Sequence, residues 1–142
     1  MNNDTRRRQA RELTLQVLFQ EEYIKNLDTK KSLDYFKGEF EAHSEVIEFA
    51  EMLITGIAKH LKEIDSIVQD YSQNWKIKRM ASVDLIILRI AIFELVYLKN
   101  EVPYAATINE ALEIAKKYST NDSSPFINGI LDQVHKEKGS GL

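Results

Sequence analysis

The chain has 142 residues, 44% of them hydrophobic and 29% charged, with 19 basic against 22 acidic side chains and a net charge of −3. That is the profile of one globular domain large enough for a real core. Cysteine is absent, which excludes disulfides, thiolate metal sites and cysteine nucleophiles and fits a reducing compartment.

Breakers are scarce: there are two prolines and five glycines, two of the glycines within the last four residues. Long stretches rich in Leu, Ile, Glu, Lys and Ala, with no sustained period-2 alternation, predict an all-α protein. The first helix is expected from about Thr5 to Tyr23, with Ala10, Leu13, Val17 and Ile24 on one stripe and Leu15, Leu18 and Phe19 on another side. Its start is basic. Arg6, Arg7, Arg8 and Arg11 against Asp4 give residues 1–11 a charge of +3, which leaves −6 on residues 12–142. Arginine forks concentrated at a flexible end are ready phosphate contacts, bidentate and driven largely by counterion release. A solvated, frayed terminus is the alternative. Arg8, Arg11, Leu15 and Phe19 share one arc of the helical wheel, so an aromatic follows the arginines on the same side.

A polar turn at Asn26–Thr29 precedes a short amphipathic helix, Lys31 to Phe40. A long helical stretch runs from Glu45 to about Tyr71, with Val46, Ile47, Phe49, Ala50, Leu53, Ile54 and Ile57 as its stripe and a break expected near His60. Asp70 to Lys78 is polar around Trp75 and reads as a connection. Ser82 to Leu98 is apolar nearly all round, the mark of a central buried helix. Its longest apolar run, Leu85 to Leu98, is about 14 residues and is broken by Arg89 and Glu94, too short and too charged to span a bilayer. Positive charge at the N-terminus has no apolar segment behind it, so no secretory signal is expected and the chain reads as cytoplasmic. Asp84, Arg89 and Glu94 in so apolar a helix need internal partners or a protein-binding surface.

Pro103 marks a boundary, and Thr107-Ile108-Asn109-Glu110 has capping-box spacing, which predicts a helix beginning at Thr107. Ser119 to Ser124 reads as a loop, and Ser124-Pro125 as the N-cap and first residue of the last helix, which Ile127, Ile130, Leu131 and Val134 carry inward. The polar tail, residues 136–142, is expected to fray. One domain over residues 1–142 is expected, with a basic arm at 1–11.

Motifs for chemistry are missing. His43, His60 and His135 are scattered outside any metal-ligand spacing, and the glutamates at 39, 41, 45, 48 and 51 read as a solvated helix face rather than an acid–base pair. No Walker A, GxGxxG or Ser/His/Asp arrangement stands out. No metal, cofactor or small-molecule substrate is implied, and the chain reads as a binding protein, not an enzyme.

The arm RRRQARELTLQVLFQ, the segment VDLIILRIAIFEL (83–95), the run VPYAATINEALEIAKKYS (102–119) and FINGILD (126–132) resemble the NusB family of transcription antitermination factors. The likeness covers both ends and most of the C-terminal half, whereas residues 24–75 match only in pattern. It implies about seven helices in two packed helical sub-bundles. It also implies binding of boxA-type single-stranded RNA together with the ribosomal protein NusE, within the transcription elongation complex that makes ribosomal RNA.

Carried over by position, the resemblance points to Arg7, Arg8 and Arg11, with Arg6 as an extra arginine, as RNA contacts, and to Phe19 as a base-stacking aromatic. Gln9 stands where relatives keep arginine. Asp122, Ser123 and Phe126 form the second RNA-facing region the resemblance implies, where Pro125 replaces a residue that is basic in some relatives. Phe126 lies beside the last helix's apolar stripe, so packing against Ile130 is an equal alternative to base contact. Two other classes stand beside this reading. One is a fragment of an RNA cytosine methyltransferase, for whose cofactor fold 142 residues leave no room. The other is a protein-only helical adaptor with a basic docking arm.

Overall fold

The computed structural model describes residues 3–24, 28–40, 43–72 and 75–139. Outside them lie the first two residues of the basic arm, part of the turn expected at 26–29, Glu41, the middle of the 70–78 connection and the end of the tail. Seven α-helices and no strand occur among the described residues: α1 Asn3–Tyr23, α2 Thr29–Phe40, α3 Ser44–Lys59, α4 Leu61–Tyr71, α5 Ser82–Tyr97, α6 Tyr104–Tyr118 and α7 Ser123–Val134. The all-α class matches the sequence reading. The chain divides into two compact units, Met1–Ala58 and Lys59–Leu142.

In the first unit, Ala10, Leu13 and Val17 are buried as the stripe predicts, and so is Leu15 on the second face. Thr14, fully buried between them, donates its hydroxyl to the Ala10 carbonyl at 2.8 Å and leaves no orphan donor. Ile24 departs from the expected stripe: it lies just beyond the helix and is half exposed. On α3 the seven predicted stripe residues are all buried. Helix α2 begins two residues before the expected start, with Asp28 accepting the Lys31 amide at 3.2 Å.

In the second unit, α5 is buried almost all round, from Asp84 through Leu88 and from Ile90 through Leu95. Helices α4, α6 and α7 pack against it. The break expected near His60 is a full helix boundary, with φ −111° and ψ 19° at that residue. The His60 ring stacks on Tyr97 at 4.0 Å, and Tyr97 on Phe93 at 5.5 Å, so an aromatic column takes His60 out of the helical path.

Two expected helix starts are corrected. Helix α6 begins at Tyr104, with extended Pro103 as its cap, three residues before Thr107. Thr107 is thus inside the helix and buried, and its hydroxyl donates to the Glu94 carboxylate at 3.1 Å instead of capping. Helix α7 begins at Ser123, with Asp122 in the cap position and no side-chain capping bond. Pro125 is therefore the third residue, where a missing N–H is still free of cost because the first four amides lack helical partners.

The three charges of α5 find internal partners. Arg89 makes a two-pronged pair with Asp65 of α4, at 2.8 and 2.9 Å. Glu94 takes the Thr107 hydroxyl, and Asp84 takes two serine hydroxyls. The expected fraying of the tail is corrected over its first part: His135–Gly139 form a π-helical turn. There His135 stacks on Tyr104 at 3.7 Å. The Tyr71 hydroxyl donates to Glu137, which raises the phenol above its ordinary pKa.

Candidate nucleic-acid interface

The arginines expected at a flexible end are in the first three turns of α1, and Arg6, Arg7 and Arg11 meet a structured neighbour, α3. Arg6 Nη1 donates to Glu45 Oε2 at 2.7 Å. That hydrogen bond, with the added attraction of the guanidinium charge, holds the Glu45 carboxyl below its ordinary pKa of 4.5. The guanidinium of Arg7 sits 5.3 Å from the centre of the Phe49 ring, and that of Arg11 sits 5.7 Å from it. One buried aromatic of α3 thus carries two cations of α1, each such contact worth about 0.5–1 kcal/mol or more once desolvated. Arg11 is only 3% exposed and belongs to the packing as much as to the surface. Arg8 is exposed, and Arg6 and Arg7 are half-buried.

Phe19 lies on the same helix, roughly 16 Å along the axis from Arg8 at 1.5 Å per residue. It is 36% exposed and packs edge-tilted on Tyr23, at 5.0 Å and 57°. The arc predicted from the wheel therefore runs from solvent at Arg8, through buried Arg11 and Leu15, to a half-open aromatic. Tyr23, 69% exposed, extends that aromatic surface.

The second group is built around Asp84. Its carboxylate accepts the Ser119 hydroxyl at 2.6 Å and the Ser123 hydroxyl at 2.8 Å, tying the end of α6 and the start of α7 to α5. With both serine protons spent on Asp84, Thr120 is the hydroxyl donor toward Ser123 at 3.3 Å. Ser123 is buried and fixes the loop, while Asp122 beside it is exposed. Phe126 is half-buried and meets Trp75 edge-on, at 6.4 Å and 70°.

Trp75, Arg79, Met80, Ala81, Asp84, Thr120, Asp122, Ser123 and Phe126 line a cleft of about 410 Å³. Asp122, Ser123 and Phe126 are thus brought to one place, as Arg6, Arg7, Arg8, Arg11 and Phe19 are brought to one helix of the other unit. Trp75 and Arg79 were not foreseen as site residues. The signal was present in a lone tryptophan followed by Lys76, Lys78 and Arg79, an aromatic interleaved with cations.

Among the described residues no group of three or more His, Asp or Glu is placed to hold a metal ion. No helix among the described residues is long and apolar enough to cross a membrane.

The NusB family model matches residues 8–136. The transcription antitermination protein NusB of Bdellovibrio bacteriovorus is 46% identical, over 93% of this chain and 96% of that protein. Its counterpart from Thermodesulfovibrio yellowstonii is 42% identical, over 94% and 93%. Among solved structures, NusB of T. maritima superposes with a TM-score of 0.87 at 37% identity, covering 94% of this chain and 92% of that one. A NusB solved with NusE and double-stranded RNA shares the fold at a TM-score of 0.82 and 24% identity, over 93% and 97%. With its family model spanning residues 8–136 and relatives matched nearly end to end, the chain belongs to the NusB family.

Proposed function

We propose that this chain is an RNA-binding transcription antitermination factor that recognises boxA-type single-stranded RNA together with NusE, in the cytoplasm, and so supports transcription of ribosomal RNA by the elongation complex. It acts by binding, with no catalytic step. The observation that carries the reading is family membership: relatives matched over more than nine-tenths of their length are antitermination proteins. The arginine row of α1 supplies the chemistry. Arg8 and Arg7 reach phosphates from a helix already docked through Phe49, so little ordering entropy is lost on binding. Phe19 offers a ring face to an unpaired base, and Asp122 and Phe126 form a second contact region whose loop Ser123 holds in place. In a solved neighbour of the same fold, NusB carries both NusE and RNA.

Titration with a short boxA-like RNA tests this. Replacing Arg7 and Arg8 by alanine weakens binding and lowers the slope of log K against log salt by about 0.7 per lost phosphate contact. Unchanged slope and affinity in the double variant would remove the arm as the phosphate site. A second reading, an adaptor that uses its arginines only for protein packing, draws on the Arg6–Glu45 and Arg11–Phe49 contacts. It predicts no RNA affinity with or without NusE.

A further inference from the structure

Successive residues of a helix project about 100° apart, so Arg6 and Arg7 of α1 reach different partners on α3. Arg6 spends an N–H on the Glu45 carboxylate at 2.7 Å, and its Nε is buried. Arg7 meets no acid. Among the described residues its side chain has no hydrogen bond or ion pair, and its guanidinium lies over the Phe49 ring, 5.3 Å from the centre. Arg11, one turn further along α1, takes the same ring at 5.7 Å.

The two kinds of partner leave a guanidinium in different states. A carboxylate offsets the positive charge and occupies N–H donors. An aromatic ring attracts the cation through its negative face and takes no N–H, so the charge and the planar fork of donors stay available. Contact with the ring also removes, in advance, rotamer freedom that a loose arginine side chain would lose on binding. Phe49 itself belongs to the buried stripe of α3 and is 9% exposed, too little surface to stack a base.

We propose that Phe49 is a positioning residue for phosphate binding: its ring holds Arg7 with charge and donors uncommitted, so that Arg7 rather than Arg6 grips a backbone phosphate of a single RNA strand. This role rests on the RNA-binding reading above and adds to it a residue of α3 that acts through an arginine and not by touching RNA. Two neighbouring arginines of one basic run are thereby sorted by the helix behind them. Glu45 consumes Arg6, and Phe49 presents Arg7.

A ring that only fills the core beneath α1 would be buried in the same way, and the two roles part when the π face is removed. Phe49→Leu keeps an apolar side chain in the stripe without that face. Its affinity for a labelled RNA single strand of about a dozen nucleotides, read by anisotropy on the full chain, should fall about 2- to 30-fold, the factor equivalent to one cation–π contact. Phe49→Tyr keeps the ring and should bind close to the native level. The double-mutant cycle with Arg7→Ala carries the distinction. Acting through Arg7, Phe49→Leu has little further effect once Arg7 is alanine, whereas a core filler costs the same factor in both backgrounds. Arg11, 3% exposed, contributes its packing to both. Circular dichroism and thermal unfolding establish that each variant is folded at the assay temperature. Should Phe49→Leu fail to fold, pentafluorophenylalanine at position 49 retains the ring's shape, reverses its quadrupole and enters the same cycle. Native RNA affinity in Phe49→Leu, equal factors in the two backgrounds, or a folded Phe49→Tyr as weak as Phe49→Leu would each overturn the role of Phe49 and leave the RNA reading standing. No RNA binding by the native chain defeats that reading, and the role of Phe49 with it.

Discussion

Each arginine of α1 meets a different environment, and that environment sets what it has left to offer a phosphate. Arg11, almost wholly buried, is fixed by the Phe49 ring; its removal weakens packing before it weakens any ligand contact. Arg8, by contrast, is exposed. Phe19 poses the matching question for an aromatic. A fully buried phenylalanine costs about 3–5 kcal/mol when cut to alanine. Phe19 leaves over a third of its surface open and touches Tyr23 on one side, so Phe19→Ala should cost distinctly less in unfolding free energy. If it stacks a base, RNA affinity should fall by about 1–3 kcal/mol. Thermal unfolding and RNA titration of the one variant separate the two roles. A loss confined to stability makes Phe19 a packing residue.

Between elements, the Arg6–Glu45 bridge joins the start of α1 to the start of α3 and competes with any phosphate for Arg6. Glu45 has its folded pKa lowered by the Arg6 hydrogen bond, so its contribution is present above the unfolded value near 4.5 and lost as pH falls through the lower folded value. The bridge is solvent-exposed and its contribution to stability correspondingly slight. Its larger consequence is for binding: Glu45→Gln frees Arg6 at neutral pH. That variant should bind single-stranded RNA more tightly and gain up to about 0.7 in salt slope. If affinity and slope both stay put, Arg6 is no phosphate contact.

The same elements show what the sequence made legible. The stripes of α1 and α3 and the all-apolar α5 follow from local periodicity, and each is buried as its pattern predicts, save Ile24 just beyond the end of α1. The starts of α6 and α7 were misplaced because their cues were tertiary. Thr107 has the spacing of a cap, but Glu94 thirteen residues earlier claims its hydroxyl; Ser124 is the expected cap of α7, but the helix starts one residue earlier, at Ser123, whose hydroxyl goes to Asp84, thirty-nine residues away. Trp75 reads as part of a connection because nothing local reveals that Gln69 and Ser72 fix its backbone carbonyl.

At the scale of the whole molecule, charge and footprint are both small. A chain of net −3 with +3 gathered in its first eleven residues repels nucleic acid everywhere except where its cations are concentrated. Gln9 removes one further cation from that row. A few arginines and two or three aromatics give limited discrimination among the many competing sites in cellular RNA. If NusE contributes RNA contacts of its own or biases the arm toward its bound arrangement, it supplies a coupling free energy, commonly about 1–3 kcal/mol. Linkage then requires that boxA-type RNA tighten NusE binding by the factor with which NusE tightens RNA binding. Calorimetry on all four edges of the cycle measures both. The two factors should agree and should exceed roughly fivefold, the lower end of that range. Equal RNA affinity with and without NusE would make this chain a stand-alone RNA binder, and selection of boxA would then have to come from the proposed contacts of α1 and the α6–α7 loop alone.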